Sequence, residues 1–358
     1  MNNKGPLNPH LLVENFKCFR NLEVQLLPLT ILTGVNGSGK SSVFQSLLML
    51  KQTTETGTPL EGDWFNATDH SDFICFFGNG ATSISLTESL DNPSKGRITY
   101  STEEHKESEK VTVNSPLLTG YLQSMSYICA ERLGPRLHNP SPSKDDDFVG
   151  VNGEFTSAVL ARQSDRNIST EIEPISDTKH QNLLEQVSSW MDQISPSARV
   201  KAHEVKNIEA AYSTVSFSYE ADRTPEFKPP MVGFGISYAL PIIVAILTAE
   251  TGQTILIENP EAHIHPSGQS ALGKLIARAA GAGVRIIVET HSDHLLNGIR
   301  IDVKNGLLSN ELVGLNYFRK SDDGSSECIK IEMGTDGALN HWPDGFFDQA
   351  INDLVALS

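Results

Sequence analysis

The residues with the clearest chemistry are Gly34-Val35-Asn36-Gly37-Ser38-Gly39-Lys40-Ser41, with Ser42 directly after them. The glycines allow successive backbone N–H groups to turn inward around phosphate oxygens. The helix that follows the loop adds its positive N-terminal pole. In that pattern Lys40 reaches the outer phosphates and the Ser41 hydroxyl sits on Mg²⁺. A glycine-rich turn that merely precedes a helix is the weaker reading, because Gly34, Gly39, Lys40 and Ser41 all fall in register.

Four other groups flank apolar runs. Gly235 and Ser237 lie where a glycine turn opens an apolar helix, a second candidate anion site that is weak alone. The run 254–257 ends in Glu258-Asn259-Pro260-Glu261. A carboxylate at the end of an apolar strand is costly to bury without a charged partner, and here the partner would be Mg²⁺ with its waters. The run 284–289 ends in Thr290-His291-Ser292-Asp293, and parallel strands place ligand-contacting groups at such ends. Glu131, Arg132 and Arg136 follow the short run 127–130; they read equally as ligand contacts or as a surface salt-bridge cluster. His263, His265 and His291 lack the helical spacing of a zinc site, and Asp145-Asp146-Asp147 reads as a solvated acidic run in the loop 138–153.

The elements that position these groups alternate between strand and helix periods. Residues 29–33 read as a buried strand and 42–50 as a helix, with a hairpin over 11–29 leading in. Phe16 and Phe19 in that hairpin are core, or a platform for an adenine ring; core is the better reading. Alternation at 84–86, 97–100 and 111–113, with turn signals at 91–93 and 95–96, predicts an inserted antiparallel β region over 57–126, whose charge run 103–110 is a solvated hairpin tip. A helical insertion over 154–205 is clearest at 182–194. A strand at 211–219, helices at 238–249 and 267–280, and strands at 254–258 and 284–289 follow. The segment 312–358 is a C-terminal extension with two alternating stretches, an aromatic latch and a short helix. The expectation is a single α/β domain over 1–358, a mixed core sheet with helices on both faces.

The chain has 358 residues, 39% of them hydrophobic and 20% charged, enough for a large core. Its net charge of −16 argues against a broad nucleic-acid footprint. Cys18, Cys75, Cys129 and Cys328 are scattered without paired spacing, as reduced cytosolic thiols are. No apolar h-region follows Met1, and no run of about twenty apolar residues occurs, so a cytoplasmic protein without a membrane span is expected.

Phosphate loop, glycine-serine turn, carboxylate-ended strand and Thr290-His291-Ser292 stand in an order that resembles ATP-binding-cassette-type ATPases of the SMC, RecF and OLD branch. Within it the chain is similar to a family of small prokaryotic AAA-type ATPases: 258–266 match E-N-P-E-A-H-x-H-P, 289–294 match E-T-H-S-D-H, and 342–348 match W-P-x-G-F-F-D. The resemblance implies a P-loop NTPase fold of cassette type and ATP and Mg²⁺ as cofactors. It casts 34–42 as the Walker A loop and Gly235 and Ser237 as the signature turn facing a partner subunit's γ-phosphate. Glu258 becomes the Walker B acid and His291 the switch histidine. It further implies a homodimer or higher homo-oligomer with ATP sandwiched between copies, and a protein effector encoded nearby, such as a nuclease, in anti-phage defence. Asn259 departs from the pattern: most cassettes carry a water-activating glutamate there, and an amide is no general base. Glu261 or Glu258 would substitute, or turnover would be slow.

Other classes fit less well. About 65 residues after His291 leave no room for a fused nuclease domain of ordinary size. A RecF-like DNA clamp needs a coherent basic groove, against which the net charge of −16 counts. A nucleotide-binding scaffold that never turns over is kept open by Asn259.

Overall fold

Strand, loop and helix form where the apolar runs require them. In the computed structural model, five of the six residues of Leu29–Gly34 are buried, and the helix that follows from Lys40 buries Val43, Phe44, Leu47, Leu48 and Leu50. The structure describes residues 7–58, 60–67, 72–75, 77–78, 80–91, 96–103, 106–143, 148–169, 171–172, 182–205, 209–219 and 222–357. The acidic run at 145–147, and parts of the 91–96 turn and the 103–110 tip, lie outside them.

In chain order the first stretch gives β1 (His10–Phe16), β2 (Phe19–Gln25), β3 (Leu29–Gly34), α1 (Lys40–Thr56), β4 (Ser83–Thr87), β5 (Arg97–Glu103), β6 (Lys106–Val113) and α2 (Pro116–Gln123). The middle gives β7 (Met125–Ile128), β8 (Asn139–Pro140), α3 (Thr156–Arg162), α4 (Leu183–Ile194), β9 (Ala198–Val205), β10 (Ala210–Tyr219), β11 (Asp222–Arg223), α5 (Phe234–Thr248), β12 (Thr254–Glu258), α6 (Pro266–Gly281), β13 (Arg285–Glu289) and α7 (Asp293–Lys304). The last stretch gives β14 (Val313–Lys320), β15 (Ser326–Ile331) and α8 (Gln349–Leu357). Two compact units result: Met1–Met125 with Val313–Glu332 and Leu339–Ser358, and Ser126–Leu312 with Met333–Ala338.

In the first unit, β1 and β2 form an antiparallel hairpin closed at Phe16↔Phe19, and both rings are fully buried, which makes them core. The strands of the predicted β insertion do not stand apart. β4 pairs with β1, so the order is β2-β1-β4-β5-β6, a five-stranded antiparallel sheet. The alternation of Leu11, Val13, Ile84, Leu86, Ile98 and Tyr100 supplies its buried face. β3 runs parallel to β14, with Ile31 opposite Leu315, and β14 is antiparallel to β15. The C-terminal aromatics latch onto this unit: Phe346 is buried, with Tyr317 and Trp342 at ring-centroid distances of 5.4 and 5.0 Å.

In the second unit, β12 and β13 are parallel with Glu258 opposite Glu289, and β7 lies on the other side of β12. The helical region ends earlier than its pattern predicts. Residues 198–205 form β9, antiparallel to β10, because Ala198 and Val200 face the core while Arg199 and Lys201 point outward. α6 and α7 approach closely at two glycines: a Cβ on Gly273 would lie 2.1 Å from the Leu295 carbonyl oxygen, and one on Gly298 2.1 Å from that of Ser270. Beneath them Arg278 and Asp302 form a buried ion pair at 2.9 Å, with the guanidinium 5.4 Å from the Trp190 ring centre. Among the described residues no helix is long and apolar enough to cross a membrane.

Candidate functional site

The loop residues Gly34, Asn36, Gly37, Ser38, Gly39, Lys40, Ser41 and Ser42 all lie in the first unit, between the C-terminal end of β3 and the first turn of α1. Gly34 has φ +142°, and a Cβ there would sit 2.0 Å from the carbonyl oxygen of Phe318 on β14, so no other residue fits. Gly39, with φ +102°, caps α1 with Cys18 and the Phe19 ring close behind it. Lys40 is buried, and its ammonium turns back to donate to the carbonyl oxygens of Gly34 (3.1 Å) and Val35 (3.0 Å). Ser38 is fully buried, and its hydroxyl has no hydrogen-bond partner among the described residues. A curled loop, an ammonium held at its mouth, an orphaned hydroxyl and the hydroxyls of Ser41 and Ser42 are a donor set that fits a polyphosphate and its Mg²⁺. The metal would take its ligand from Ser41 on this side.

The second unit brings the other predicted residues together. Glu258 ends β12; its Oε2 accepts the Ala130 N–H at 3.1 Å, and the Tyr127 hydroxyl hydrogen-bonds to the same carboxylate. Burial pushes the Glu258 carboxyl above its usual range against those donors, and pushes the Tyr127 phenol up, with the Glu258 charge adding to it. Glu261 spends both oxygens on the end of β13. Its Oε1 accepts the His291 N–H at 2.6 Å, and its Oε2 accepts the Thr290 hydroxyl at 2.9 Å. Burial raises its pKa too, opposed by those bonds. The His291 side chain is exposed.

Asn259 takes φ +42° and His263 φ +61°, so the turn between them starts and ends in the left-handed region. The Asn259 N–H donates to the Glu289 carbonyl at 2.9 Å, while its side-chain oxygen is buried without a partner among the described residues. Gly235 packs against this turn, since a Cβ there would lie 2.7 Å from the His263 carbonyl oxygen. The Ser237 hydroxyl, two residues on, also has no partner among the described residues.

Arg132 is not part of a surface salt-bridge cluster: it is 2% exposed and donates to main-chain oxygens of Cys129, Glu258 and Asn259. Sequence patterns missed this and the part played by Tyr127 and Thr290; the only available signal was their position at strand ends. His265 caps α6 through Ser267. Among the described residues no group of three or more His, Cys, Asp and Glu is placed to hold a metal ion.

These features define a P-loop α/β protein with the fold of SMC-type ATPase heads. It resembles the crystal structure of an SmcHead bound to the C-winged helix domain of ScpA, with a TM-score of 0.57 at 12% identity over 91% of this chain and 98% of that one. It also resembles the Smc head domain with an extended coiled coil, bound to the C-terminal domain of ScpA, from Pyrococcus furiosus, with a TM-score of 0.54 at 10% identity over 99% and 100% of the two chains. The chain belongs to the AAA domain family, whose model matches residues 10–207, more than half its length. Residues 133–297 match a model described as AAA domain, putative AbiEii toxin, Type IV TA system, and 308–357 one described as a protein of unknown function. No curated protein matches.

Proposed function

We propose that this chain binds and slowly hydrolyses ATP, and that nucleotide-driven association of two copies controls a partner effector protein. The observation that carries the reading is the loop at 34–42, whose buried lysine and orphaned serine hydroxyl are arranged for a polyphosphate. In the roles the resemblance gives them, Ser41 takes the loop's Mg²⁺-ligand position and Glu258 the Walker B position, and Mg²⁺ offsets charge on the phosphates. Gly235 and Ser237 take the signature role toward the second copy's nucleotide, and His291 the switch role. Asn259 supports slow turnover, because no carboxylate stands at the usual base position. Both Glu261 oxygens are engaged by Thr290 and His291, which supports a positioning role for Glu261 and leaves the base weak or external. A defence setting, with an effector such as a nuclease encoded nearby, rests on the family resemblance carried by the tail signature 342–348. The net charge of −16 weighs against a DNA-clamp role.

Steady-state ATP hydrolysis with Mg²⁺, wild type beside Lys40→Ala and with mass measured in parallel, tests this. Turnover that Lys40→Ala removes by about a hundredfold or more, together with ATP-dependent dimerisation, is expected. ATP-dependent dimerisation without turnover would mean a pure nucleotide switch. Absence of both ATP binding and dimerisation would end the proposal.

A further inference from the structure

Arg132 is the least explained charge in the second unit. Its guanidinium is buried, yet it makes no ion pair among the described residues; Nη1 donates to the carbonyl oxygens of Cys129 (3.0 Å) and Glu258 (2.7 Å), and Nη2 to that of Asn259 (2.7 Å). Burying a guanidinium is expensive even with the charges of Glu261 and Glu258 acting in its favour, so the arrangement calls for a reason beyond filling space. The fork grips the last residue of β12 and the first residue of the turn that follows. That turn holds two non-glycine residues at positive φ, a conformation that persists only when neighbours over-determine it.

The start of α5 supplies further neighbours. The Arg132 guanidinium lies 5.3 Å from the Tyr238 ring centre. Tyr238 meets His263 edge-on with ring centroids 4.6 Å apart, Phe234 reaches the same imidazole at 5.7 Å, and Gly235 closes on the His263 carbonyl. One end of the turn is therefore held by Arg132 and the other by α5, and Tyr238 of α5 touches both Arg132 and His263 at the far end. From the turn, Glu261 reaches the Thr290 hydroxyl and the His291 N–H.

We infer that Arg132 is a positioning residue that ties the first turn of α5 to the turn carrying Glu258, Asn259 and Glu261, so that a displacement at Gly235–Tyr238 is passed to His291. The inference deepens the function proposed above and rests on it for its biological use: a second copy engaging the α5 turn would report its arrival to the switch histidine.

The test is hydrogen–deuterium exchange on the full chain, followed in peptides covering 256–266 and 288–294, with a peptide from 40–56 as control. The variants are Tyr238→Leu, Tyr238→Phe, Arg132→Lys and the Arg132→Lys/Tyr238→Leu pair. Tyr238→Leu removes the ring and is expected to speed exchange in both site peptides by about tenfold, leaving the control unchanged. Tyr238→Phe keeps the ring and is expected to match wild type. Arg132→Lys keeps the charge and loses the fork; in that background Tyr238→Leu is expected to add little. Additive effects, equal behaviour of the Phe and Leu variants, or a loss of protection that includes the control would each overturn the inference. In Tyr238→Leu and Arg132→Lys the kcat for ATP should fall while nucleotide affinity stays within about twofold, and Tyr238→Phe should keep the wild-type kcat, which a merely structural role would not separate. A wild-type chain without ATP turnover would defeat the proposed function alone, since the exchange result stands or falls by itself.

Discussion

Glu261→Gln separates a positioning carboxylate from a catalytic base. The carboxylate accepts two hydrogen bonds, from the His291 N–H at 2.6 Å and the Thr290 hydroxyl at 2.9 Å. Bonds to a charged acceptor are worth about 1.5–3 kcal/mol each and neutral ones about 1, so the amide weakens the pair by about 2 kcal/mol in total. The amide need not orphan either donor: its oxygen can keep the His291 N–H, and the Thr290 hydroxyl can rotate to accept from its NH₂. Fold stability is less affected than the pair, because the substitution also removes a charge that burial disfavours. The weakening falls on the placement of His291. If placement is what Glu261 supplies, about 1.4–2 kcal/mol of it appears in the barrier, a fall in kcat of about ten- to thirtyfold. A general base would instead contribute about a hundred- to ten-thousandfold. The assay is single-turnover ATP hydrolysis at saturating Mg²⁺-ATP, with nucleotide affinity measured separately and thermal midpoints as a fold control. A fall beyond about a thousandfold with affinity unchanged would make Glu261 the base and refute the reasoning. An unchanged rate would refute it from the other side.

Gly34→Ala should cost about 3 kcal/mol or more, since its Cβ would strike the Phe318 carbonyl at 2.0 Å and its φ is +142°; a lowered urea midpoint with loss of nucleotide binding checks it. Burial holds the carboxyls of Glu258 and Glu261 above the ordinary 4.5, so the folded chain keeps protons that the unfolded chain releases, and stability falls as pH rises from 4.5 through their raised values. The Glu258→Gln/Glu261→Gln variant should therefore show a smaller fall in thermal midpoint across that window than wild type. Arg278→Met strands the buried Asp302 carboxylate and should cost about 3–5 kcal/mol by denaturant midpoint, and adding Asp302→Leu should recover much of it.

Residues within one local window carried their own structure. The strand, glycine turn and helix around Gly34–Ser42 were legible because a phosphate loop is a contiguous device, in which backbone freedom, charge and hydroxyls sit within a few residues of one another. The apolar helix at Phe234–Thr248, the strands at Thr254–Glu258 and Arg285–Glu289, and the Phe16/Phe19 core followed from periodicity. Ala198–Val205 did not, because eight residues with two buried positions near their start give too short a pattern to separate from the helix before them. The β4–β6 strands were visible, but their pairing with β1 was not, since strand order is set by which edge is available and not by composition.

The sequence by itself therefore determined the cassette-type order of elements and the phosphate loop, down to the residue types at each position, because those properties are encoded by neighbours along the chain. Tertiary structure decided what Glu261 and Arg132 touch. Glu261 meets the His291 N–H across 30 residues and Arg132 meets the Glu258 carbonyl across 126, and both meetings depend on strand order and register: β12 lies between β7 and β13, with Glu258 level with Glu289. Register between strands is fixed by packing of the whole sheet and its helices, and no local pattern of residues states it.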